Sequence, residues 1–374
     1  MKLLYVENAL AIHGGIERVI TDKLNWLAEY GGCEICLLLA SQGDHPIVFP
    51  LNTKVECHNL GISFHHVYQY SGLKRYRLQY QLHQLFRQRM SEKIRAFKPD
   101  VIVCTRLEFV CDVMKVCEHV PVVYESHNVY LAYKFEKYSW QQKIQVKFRY
   151  HALKKVRMIV ALSQGDALEW KKLTPHVRVI PNVVHLNDTG RYSTCSSKSA
   201  IFVGRYSSQK DIQSLLQIWK LVNERHPDWQ LHIFGGYGKQ KDSLLFEINQ
   251  QRANIIIHQP TSSINEEYFK SSMLLMTSLF EPFGLVLAEA MSCGLPVVAY
   301  DCPYGPADII SDGVDGMLIN NRNVNEYVEK VCQLIENEEL RREMGHAGIH
   351  SSQRYSASSV MPLWVQLFKD IING

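Results

Sequence analysis

The chain has 374 residues, of which 46% are hydrophobic and 21% are charged. This composition is typical of a soluble globular protein and excludes a disordered or fibrous chain. The length exceeds what one ordinary core holds, so we expect two domains of about 150 to 200 residues each. The net charge of +4 is unevenly placed, since residues 73–98 and 133–157 each hold eight lysines and arginines against one acid.

Several classes of protein and site are not expected. No apolar run approaches the roughly 20 residues that a membrane-spanning helix needs, and Glu7 interrupts the start where a signal peptide would stay apolar. We therefore predict a cytoplasmic protein. The one C-x-x-C pair, Cys33 and Cys36, has no second pair at zinc-site spacing, and the 16 histidines form no H-E-x-x-H, so no protein-bound metal is indicated. We also expect no cofactor and no nucleic-acid partner.

The first half of the chain alternates strands and helices. Gly14 and Gly15 stand between the first strand and the first helix, where glycine lets the backbone approach a phosphate closely. His127 lies at the C-terminal end of the strand predicted over 121–128, the end where ligands of parallel sheets bind. The predicted elements of this half are five strands, at 2–6, 33–40, 100–105, 121–128 and 157–162. The predicted helices end at about 30, span 73–97, end at about 117 and span 142–155, and the region before residue 73 is irregular.

The helix predicted over 73–97 has two interpretations. Its apolar residues recur at helical spacing, which indicates a face that packs on the core, with the arginines toward solvent. Alternatively, its basic start and the neighbouring Tyr68, Tyr70, Tyr76 and Tyr80 rest on an anionic membrane surface, because interfacial helices pair basic residues with aromatic ones.

The second half opens after a polar stretch, 187–199, that we interpret as the interdomain linker. The strand at 200–203 leads to Arg205, and Lys210 stands at the entry of the next helix. An arginine and a lysine on one strand-to-helix loop can both reach a diphosphate. The next strand, starting at Trp229, ends in a glycine-rich turn that contains Gly235 and is not a dinucleotide fingerprint. Further strands are predicted at 254–258, 273–277 and before 319, and a final helix over 361–372.

The stretch 278–299 is the most informative part of the chain. It reads as a strand end, a loop with Glu281, a helix that starts between Phe283 and Leu285, and the next strand. Pro282 and Gly284 prevent an earlier helix start. The unpaired N–H groups of the first turn form an anion site, with Glu281 ahead of it and Glu289 a turn deeper. Two carboxylates beside a positive helix end suit a ligand that has hydroxyls and phosphates.

Three of these motifs resemble those of the retaining glycosyltransferases of family 4. They are Gly14-Gly15 after the first strand, Gly204-Arg205 with the later Lys210, and the string from Glu281 to Glu289. The resemblance implies the GT-B fold, in which two Rossmann-like α/β domains face each other across a cleft. We therefore expect an N-terminal domain over 1–186 that the helix 358–374 rejoins, and a nucleotide-sugar-binding domain over 187–357.

The resemblance also implies roles for the site residues. Glu281 and His127 are expected to contact the donor sugar, Glu289 the ribose, and Arg205 with Lys210 the leaving diphosphate. The expected contacts of the donor also include Gly14, Gly15, Gly235 and the backbone at Phe283, Gly284 and Leu285. The resemblance implies a nucleotide-diphosphate sugar as donor, with UDP as the expected nucleotide because it is common in this family, and it implies no metal.

The implied reaction moves a sugar to an acceptor hydroxyl with retention, in the synthesis of a surface polysaccharide, a lipopolysaccharide or a lipid-linked glycan. Two alternatives remain open at the level of sequence. One is a nucleotide-sugar epimerase on the same fold, and the other is a non-catalytic protein that binds sugar nucleotides.

Overall fold

The computed structural model describes residues 1–130, 139–236 and 254–374. They divide into two compact units. Unit 1 comprises Met1–Leu162, Asp166–Val183 and Ala357–Gly374, and unit 2 comprises Ser163–Gly165 and Val184–Ser356. The polar stretch 187–199, which the sequence indicated as a linker, lies within unit 2, where Asn187 is buried and its N–H donates to Ser292 Oγ (3.1 Å).

Unit 1 is built on a seven-stranded sheet in which every described pairing is parallel. Its strands lie in the order β3-β2-β1-β4-β5-β6-β7. The central strands are buried on both faces, which fits their continuous apolar runs. The strands are β1 (Lys2–Glu7), β2 (Glu34–Leu39), β3 (Val55–Asn59), β4 (Val101–Cys104), β5 (Val122–Glu125), β6 (Met158–Ala161) and β7 (Val177–Val179).

Helices cover both faces of this sheet. One core joins the strands to α2, α3, α4 and α5, and the other joins them to α1 and the C-terminal α12. The helices of unit 1 are α1 (Gly15–Glu29), α2 (Gly72–Phe97), α3 (Val110–Val116), α4 (Trp140–Leu153), α5 (Gln164–Trp170, whose first two residues belong to unit 2) and α12 (Ala357–Asn373), with a 3₁₀ turn at Phe64–Gln69.

Unit 2 repeats the same plan with six strands. The order is β10-β9-β8-β11-β12-β13, again with parallel pairing throughout the described ladder. The strands are β8 (Ser199–Val203), β9 (Gln230–Phe234), β10 (Ile255–His258), β11 (Met273–Met276), β12 (Val297–Tyr300) and β13 (Gly316–Ile319). The helices are α6 (Ile212–Arg225), α7 (Ile264–Phe269), α8 (Leu285–Ser292), α9 (Pro306–Ile309), α10 (Val324–Glu336) and α11 (Glu338–Ser352), with 3₁₀ turns at Ser208–Lys210, Asn320–Arg322 and Gln353–Tyr355.

The predicted two-domain α/β architecture is confirmed, with one addition. The region before α2 that the sequence left irregular contains the edge strand β3, whose polar residues are mostly exposed. The predicted packing of α2 is also observed, since Phe86, Met90 and Ile94 are buried in the core of unit 1. Among the described residues, no helix has the length and apolarity that crossing a bilayer requires.

Candidate active site

The pairing of Lys210 with Glu281 is the central feature of the site in unit 2. Lys210 ends the 3₁₀ turn after β8, and Glu281 lies in the loop between β11 and α8. The Lys210 ammonium contacts Glu281 Oε1, and Ser278 Oγ donates to the same oxygen (2.7 Å). Both charged side chains are largely buried, at 13% and 7% exposure. The structure thus brings together two residues that the sequence singled out separately.

Arg322 joins the loops that carry this pair, and no motif in the sequence predicted this role. Its guanidinium donates to the carbonyls of Thr277 (3.1 Å) and Ser278 (2.8 Å) and contacts Asp211 Oδ2. It also lies over the Tyr300 ring, 4.3 Å from the centroid. Because Asp211 directly follows Lys210, Arg322 ties the lysine loop to the end of β11.

The same two segments are joined a second time by short hydrogen bonds. Thr277 Oγ1 lies 3.1 Å from the carbonyl of Lys210 and 3.0 Å from that of Asp211. Gln209 binds the other side of the loop, since its carbonyl accepts from Leu279 N (2.7 Å) and its Nε2 donates to Phe280 O (3.0 Å). The position of Lys210 relative to Glu281 is therefore fixed by the backbone as well as by charge.

Arg205 and Gly235 lie just beyond the carboxyl ends of the neighbouring strands β8 and β9. Arg205 is exposed and has no ion-pair partner within the described parts of the chain, so its guanidinium is available to an anion. A Cβ added at Gly235 would meet the carbonyl oxygen of Gly204 at 2.2 Å. Glycine is required there because the two loops approach each other at backbone distance.

The α8 helix presents its first turn beside the Glu281 loop. Its N-cap is Gly284 in the left-handed region (φ 104°), which glycine adopts without strain, and Leu285 is the first helical residue. No side chain caps this end. Phe283 is buried, with its ring edge-on to Tyr355. The predicted helix start is confirmed, and with it an end of partial positive charge.

Glu289 lies one turn into α8 and is half-buried. The Tyr268 hydroxyl is its partner at 3.5 Å from Oε2, a long hydrogen bond. Burial, together with the charge of Glu289, holds the pKa of Tyr268 well above its ordinary value, so the phenol stays protonated. The Glu289 carboxylate, which the sequence assigned to the ribose, thus accepts a hydrogen bond from a neutral phenol.

In unit 1, Gly14 and Gly15 occupy the predicted place between β1 and α1. Gly14 is the N-cap residue, and α1 begins at Gly15. A Cβ at Gly14 would lie 2.2 Å from Glu17 Oε2, so the glycine keeps this carboxylate folded back on the helix start. The side chain of Glu17 is itself nearly buried and lies 3.8 Å from Arg106.

His127 follows β5, and its side chain is only 5% exposed. Its Nε2 lies 3.2 Å from Glu125 Oε1. The ring is therefore oriented by a carboxylate that is itself buried.

Behind His127 lies an ion pair that the sequence did not predict. The Lys23 ammonium contacts Glu125 Oε2, both side chains are nearly inaccessible, and Trp364 of α12 covers the lysine at 4.2 Å from the ring centroid. Burial alone would raise the pKa of Glu125, but Lys23 and His127 together lower it to about 2. Glu125 therefore stays ionised beside His127.

One further cluster has the side-chain types of a metal site. Potential ligand atoms of Cys36, Glu56 and His58 lie within 4.8 Å of one another on the strands β2 and β3. Lys93 Nζ, however, lies 3.1 Å from His58 Nδ1 and places a positive charge beside the cluster. Burial raises the pKa of the Cys36 thiol to about 12, which keeps it protonated. This chemistry opposes cation binding.

The models of two protein families match consecutive parts of the chain. Glycosyltransferase Family 4 matches residues 13–188, and Glycosyl transferases group 1 matches residues 196–351. Together they span most of the chain. The chain belongs to glycosyltransferase family 4. The predicted family and the GT-B fold are thereby confirmed.

One relative in sequence is also named a glycosyltransferase, and two solved structures share the fold. The chain is 32% identical to the amylovoran biosynthesis glycosyltransferase AmsD of Erwinia amylovora over 58% of this chain and 62% of that protein. A variant of S. aureus TarM, solved with Fondaparinux, alpha-GlcNAc-glycerol and UDP, has a TM-score of 0.77 at 15% identity over 98% of this chain and 99% of TarM. HepE of Anabaena with UDP-glucose gives 0.76 at 18% identity over 99% and 100%.

The matches in sequence cover only part of the curated relatives. This chain spans 62% of AmsD and 22% of the exopolysaccharide phosphotransferase SCO2592 of Streptomyces coelicolor, to which it is 30% identical. The similarities to TarM and HepE, at 15% and 18% sequence identity, support the fold alone.

Proposed function

We propose that this protein is a retaining glycosyltransferase that moves a sugar from a UDP-sugar to an acceptor hydroxyl in the synthesis of a polysaccharide or a lipid-linked glycan. The observation that carries the proposal is the Lys210–Glu281 pair with Ser278, set beside the uncapped start of α8. It offers a cation, a carboxylate and a helix N-terminus within one loop cluster, which matches the diphosphate and hydroxyls of the donor.

Arg205 and Lys210 interact with the donor diphosphate in different ways. Arg205 is exposed and can bind a phosphate in the bidentate mode, while Lys210 carries a charge that Glu281 already shares. As the sugar leaves, negative charge grows on the diphosphate, and Lys210 can shift toward it without a new charge being buried. Such preorganised charge accelerates the reaction because it stabilises the transition state more than the bound donor.

The proposed chemistry needs no nucleophile from the protein. The bond between the anomeric carbon and the diphosphate oxygen breaks, and the acceptor oxygen bonds to that carbon on the same face. The acceptor proton passes to the leaving phosphate oxygen. Glu281 and His127 orient the sugar, and Glu125 keeps a fixed negative charge close to His127, which supports an electron-deficient sugar in the transition state.

The acceptor is proposed by analogy with the named relatives. AmsD is named for amylovoran biosynthesis, and a 28% identical Staphylococcus aureus relative is named poly(ribitol-phosphate) alpha-N-acetylglucosaminyltransferase. An acceptor on a lipid would place the enzyme at an anionic membrane surface. The start of α2 supports this, since Lys74 and Arg75 accompany the exposed Tyr76 and Tyr80. The cytoplasmic location stays a prediction.

The two alternatives from the sequence are less favoured. A binding protein would not require a buried lysine that shares its charge with a loop carboxylate. An epimerase would release UDP without any acceptor.

The test is nucleotide release from UDP-, GDP- and ADP-sugars, with and without a membrane lipid extract. We expect slow release from one UDP-sugar and faster release with extract. NMR of the product should show the same anomeric configuration as in the donor. Release that no extract accelerates, with free epimerised sugar as product, would favour the epimerase. Absence of both donor binding and release would overturn the proposal.

A further inference from the structure

The helix α4 carries an apolar stripe on the side turned away from its own core. Trp140, Ile144 and Phe148 follow each other at intervals of four residues and are 70%, 43% and 68% exposed. Residues four apart lie on one helical face. Large apolar side chains scattered singly over a surface are ordinary, but three in one row form a contiguous patch that calls for a partner.

The opposite face of α4 fixes the direction of the stripe. Leu153 is fully buried in the core of unit 1, and the Tyr150 hydroxyl donates to the carbonyl of Tyr130 (2.5 Å). The start of the helix is held by a capping box between Ser139 and Gln142. The stripe is therefore presented outward by a helix that is anchored at its start and on its inner side.

The charges around the stripe are positive. The helix contains no aspartate or glutamate, and the exposed Lys143 and Lys147 alternate with its apolar residues. On the same sheet face, α3 packs between α4 and α2, and α2 has no acid before Glu92. Among the described acids of this layer, Asp112 is buried against Arg87 and His83, and Glu118 lies 3.5 Å from Arg95, whereas Glu108 before α3 is exposed.

We infer that the Trp140–Ile144–Phe148 stripe of α4 inserts into the interface of an anionic lipid bilayer, with Lys143 and Lys147 binding the head groups. An apolar face bordered by lysines, with tryptophan at its end, is the composition of helices that lie in the membrane interface. The basic start of α2, with Leu73 at 88% exposure, extends the surface on the same layer. This surface would bring the enzyme to a lipid-linked acceptor. Only that consequence rests on the proposed function.

Trp140 provides a direct readout. Of the six tryptophans, four are buried, Trp26 is half-buried, and Trp140 is exposed. Transfer of Trp140 into an apolar environment shifts its fluorescence to the blue. We expect this shift with vesicles of phosphatidylcholine and phosphatidylglycerol, together with quenching by lipids brominated on their acyl chains. The variant Trp140→Phe should lose the shift and still sediment with the vesicles.

Binding is measured by co-sedimentation of the full chain with the same vesicles. Replacing Trp140, Ile144 and Phe148 together by glutamine should weaken binding at least about tenfold, since burial of each side chain stabilises the bound state. Replacing Lys143 and Lys147 by glutamine should weaken binding to anionic vesicles about tenfold or more and leave binding to phosphatidylcholine unchanged. The matched control, Leu363→Gln, changes a half-exposed leucine on α12, which packs on the other face of the sheet.

Three outcomes would overturn the inference: the triple variant sediments like the original protein, Trp140 is not quenched by brominated lipid, or the triple variant changes the oligomeric state without lipid, which would identify a protein interface. Unchanged circular dichroism would show that the triple variant folds. Nucleotide release from the donor, measured without lipid, should be the same in the triple variant. A failure of the transferase proposal is thereby distinguishable from a failure of this one.

Discussion

Lys210 and Arg205 bring the same charge to the donor site from different surroundings. Lys210 is nearly buried and balanced by Glu281, whereas Arg205 is exposed and has no ion-pair partner among the described residues. Removing one member of a buried pair leaves the other charge uncompensated and costs about 3–5 kcal/mol. Removing an exposed arginine without an ion-pair partner should change the free energy of unfolding much less.

This difference predicts separable effects of neutralising each residue. Lys210→Met should lower both kcat and the free energy of unfolding, whereas Arg205→Met should lower kcat about a hundredfold or more at an unchanged melting temperature. Lys220→Met, an exposed lysine on α6, is the control. Steady-state kinetics and thermal unfolding measure the two effects. Wild-type turnover of Arg205→Met would show that Arg205 does not stabilise the leaving diphosphate.

Arg322 is expected to act as a positioning residue. It holds two carbonyls and Asp211 at once, which the single ammonium of a lysine cannot do in the same geometry. We predict that Arg322→Ala lowers kcat about tenfold with a smaller effect on KM, because Lys210 loses its fixed place relative to the donor.

Added guanidinium offers a check on that interpretation. The Arg322 side chain is 31% exposed, so a guanidinium ion can enter the vacated place. Turnover of Arg322→Ala should rise with low concentrations of guanidinium chloride, while sodium chloride at equal ionic strength should have no effect. A variant that is inactive through general unfolding would not recover.

Asp166 should make the stability of unit 1 depend on pH. Burial raises its pKa to about 7, against N–H donors from Tyr130 and Trp170 that lower it. Since the ordinary value is 3.8, the unfolded chain releases its proton first as the pH rises. The free energy of unfolding should therefore fall between about pH 4 and pH 7 and level off above.

Asp166→Asn isolates this contribution. Asparagine cannot ionise, and its single oxygen accepts from only one of the two donors, which lowers stability by a similar amount at every pH. The difference in unfolding free energy between the two proteins should still change by up to about 4 kcal/mol across that range, because only Asp166 titrates. Urea titrations at a series of pH values measure it. Parallel stability curves would mean that Asp166 titrates normally in the folded protein.

The sequence identified individual site residues better than their partners. Lys210 and Glu281 each stood in a recognisable motif, but 71 positions separate them, and no local pattern reports that their side chains meet. Ser278, Arg322 and the Lys23–Glu125 pair were missed for the same reason. Their roles arise from contacts across the fold, and arginine or serine in a loop is by itself unremarkable.

At the scale of elements, hydrophobic patterning gave most strands and helices to within a few residues. Buried parallel strands are short apolar runs, and β4, β5 and β11 are of this kind. The edge strand β3, Val-Glu-Cys-His-Asn, escaped because one side of it has no neighbouring strand and its residues are mostly polar. β3 is a strand because it pairs with β2, and the sequence of β3 alone does not predict this pairing.

The start of α8 offers a test at this scale. Gly284 has φ 104°, so Gly284→Ala strains the backbone at the N-terminus of the helix by about 1–2 kcal/mol. Gly313→Ala is matched, because Gly313 also has positive φ (75°) with open space around it. We expect similar losses of stability in both variants but weaker donor binding only in Gly284→Ala, measured by calorimetry with UDP. Equal UDP affinity in both would argue against a phosphate at α8.

At the scale of the whole molecule, the last residues complete the first unit. The predicted packing of the C-terminal helix on the first domain is observed, and α12 buries Val360, Met361, Trp364, Leu367, Phe368 and Ile371. Trp364 also covers Lys23, whose partner Glu125 stands beside His127. The folding of unit 1 and the environment of His127 thus both depend on residues more than 200 positions away in the chain.

Neighbouring residues on α12 test this dependence. Trp364→Ala should lower the stability of unit 1 by about 3–5 kcal/mol, since it opens a cavity and uncovers the Lys23–Glu125 pair. Leu363→Gln, on the exposed side of the helix, should change it by no more than about 0.5 kcal/mol. Hydrogen exchange resolves where the loss falls: β1, α1 and β5 should exchange faster in Trp364→Ala, while β8 and β11 in unit 2 stay protected. Equal acceleration in both units would mean that they unfold as one cooperative body and that α12 stabilises the molecule as a whole.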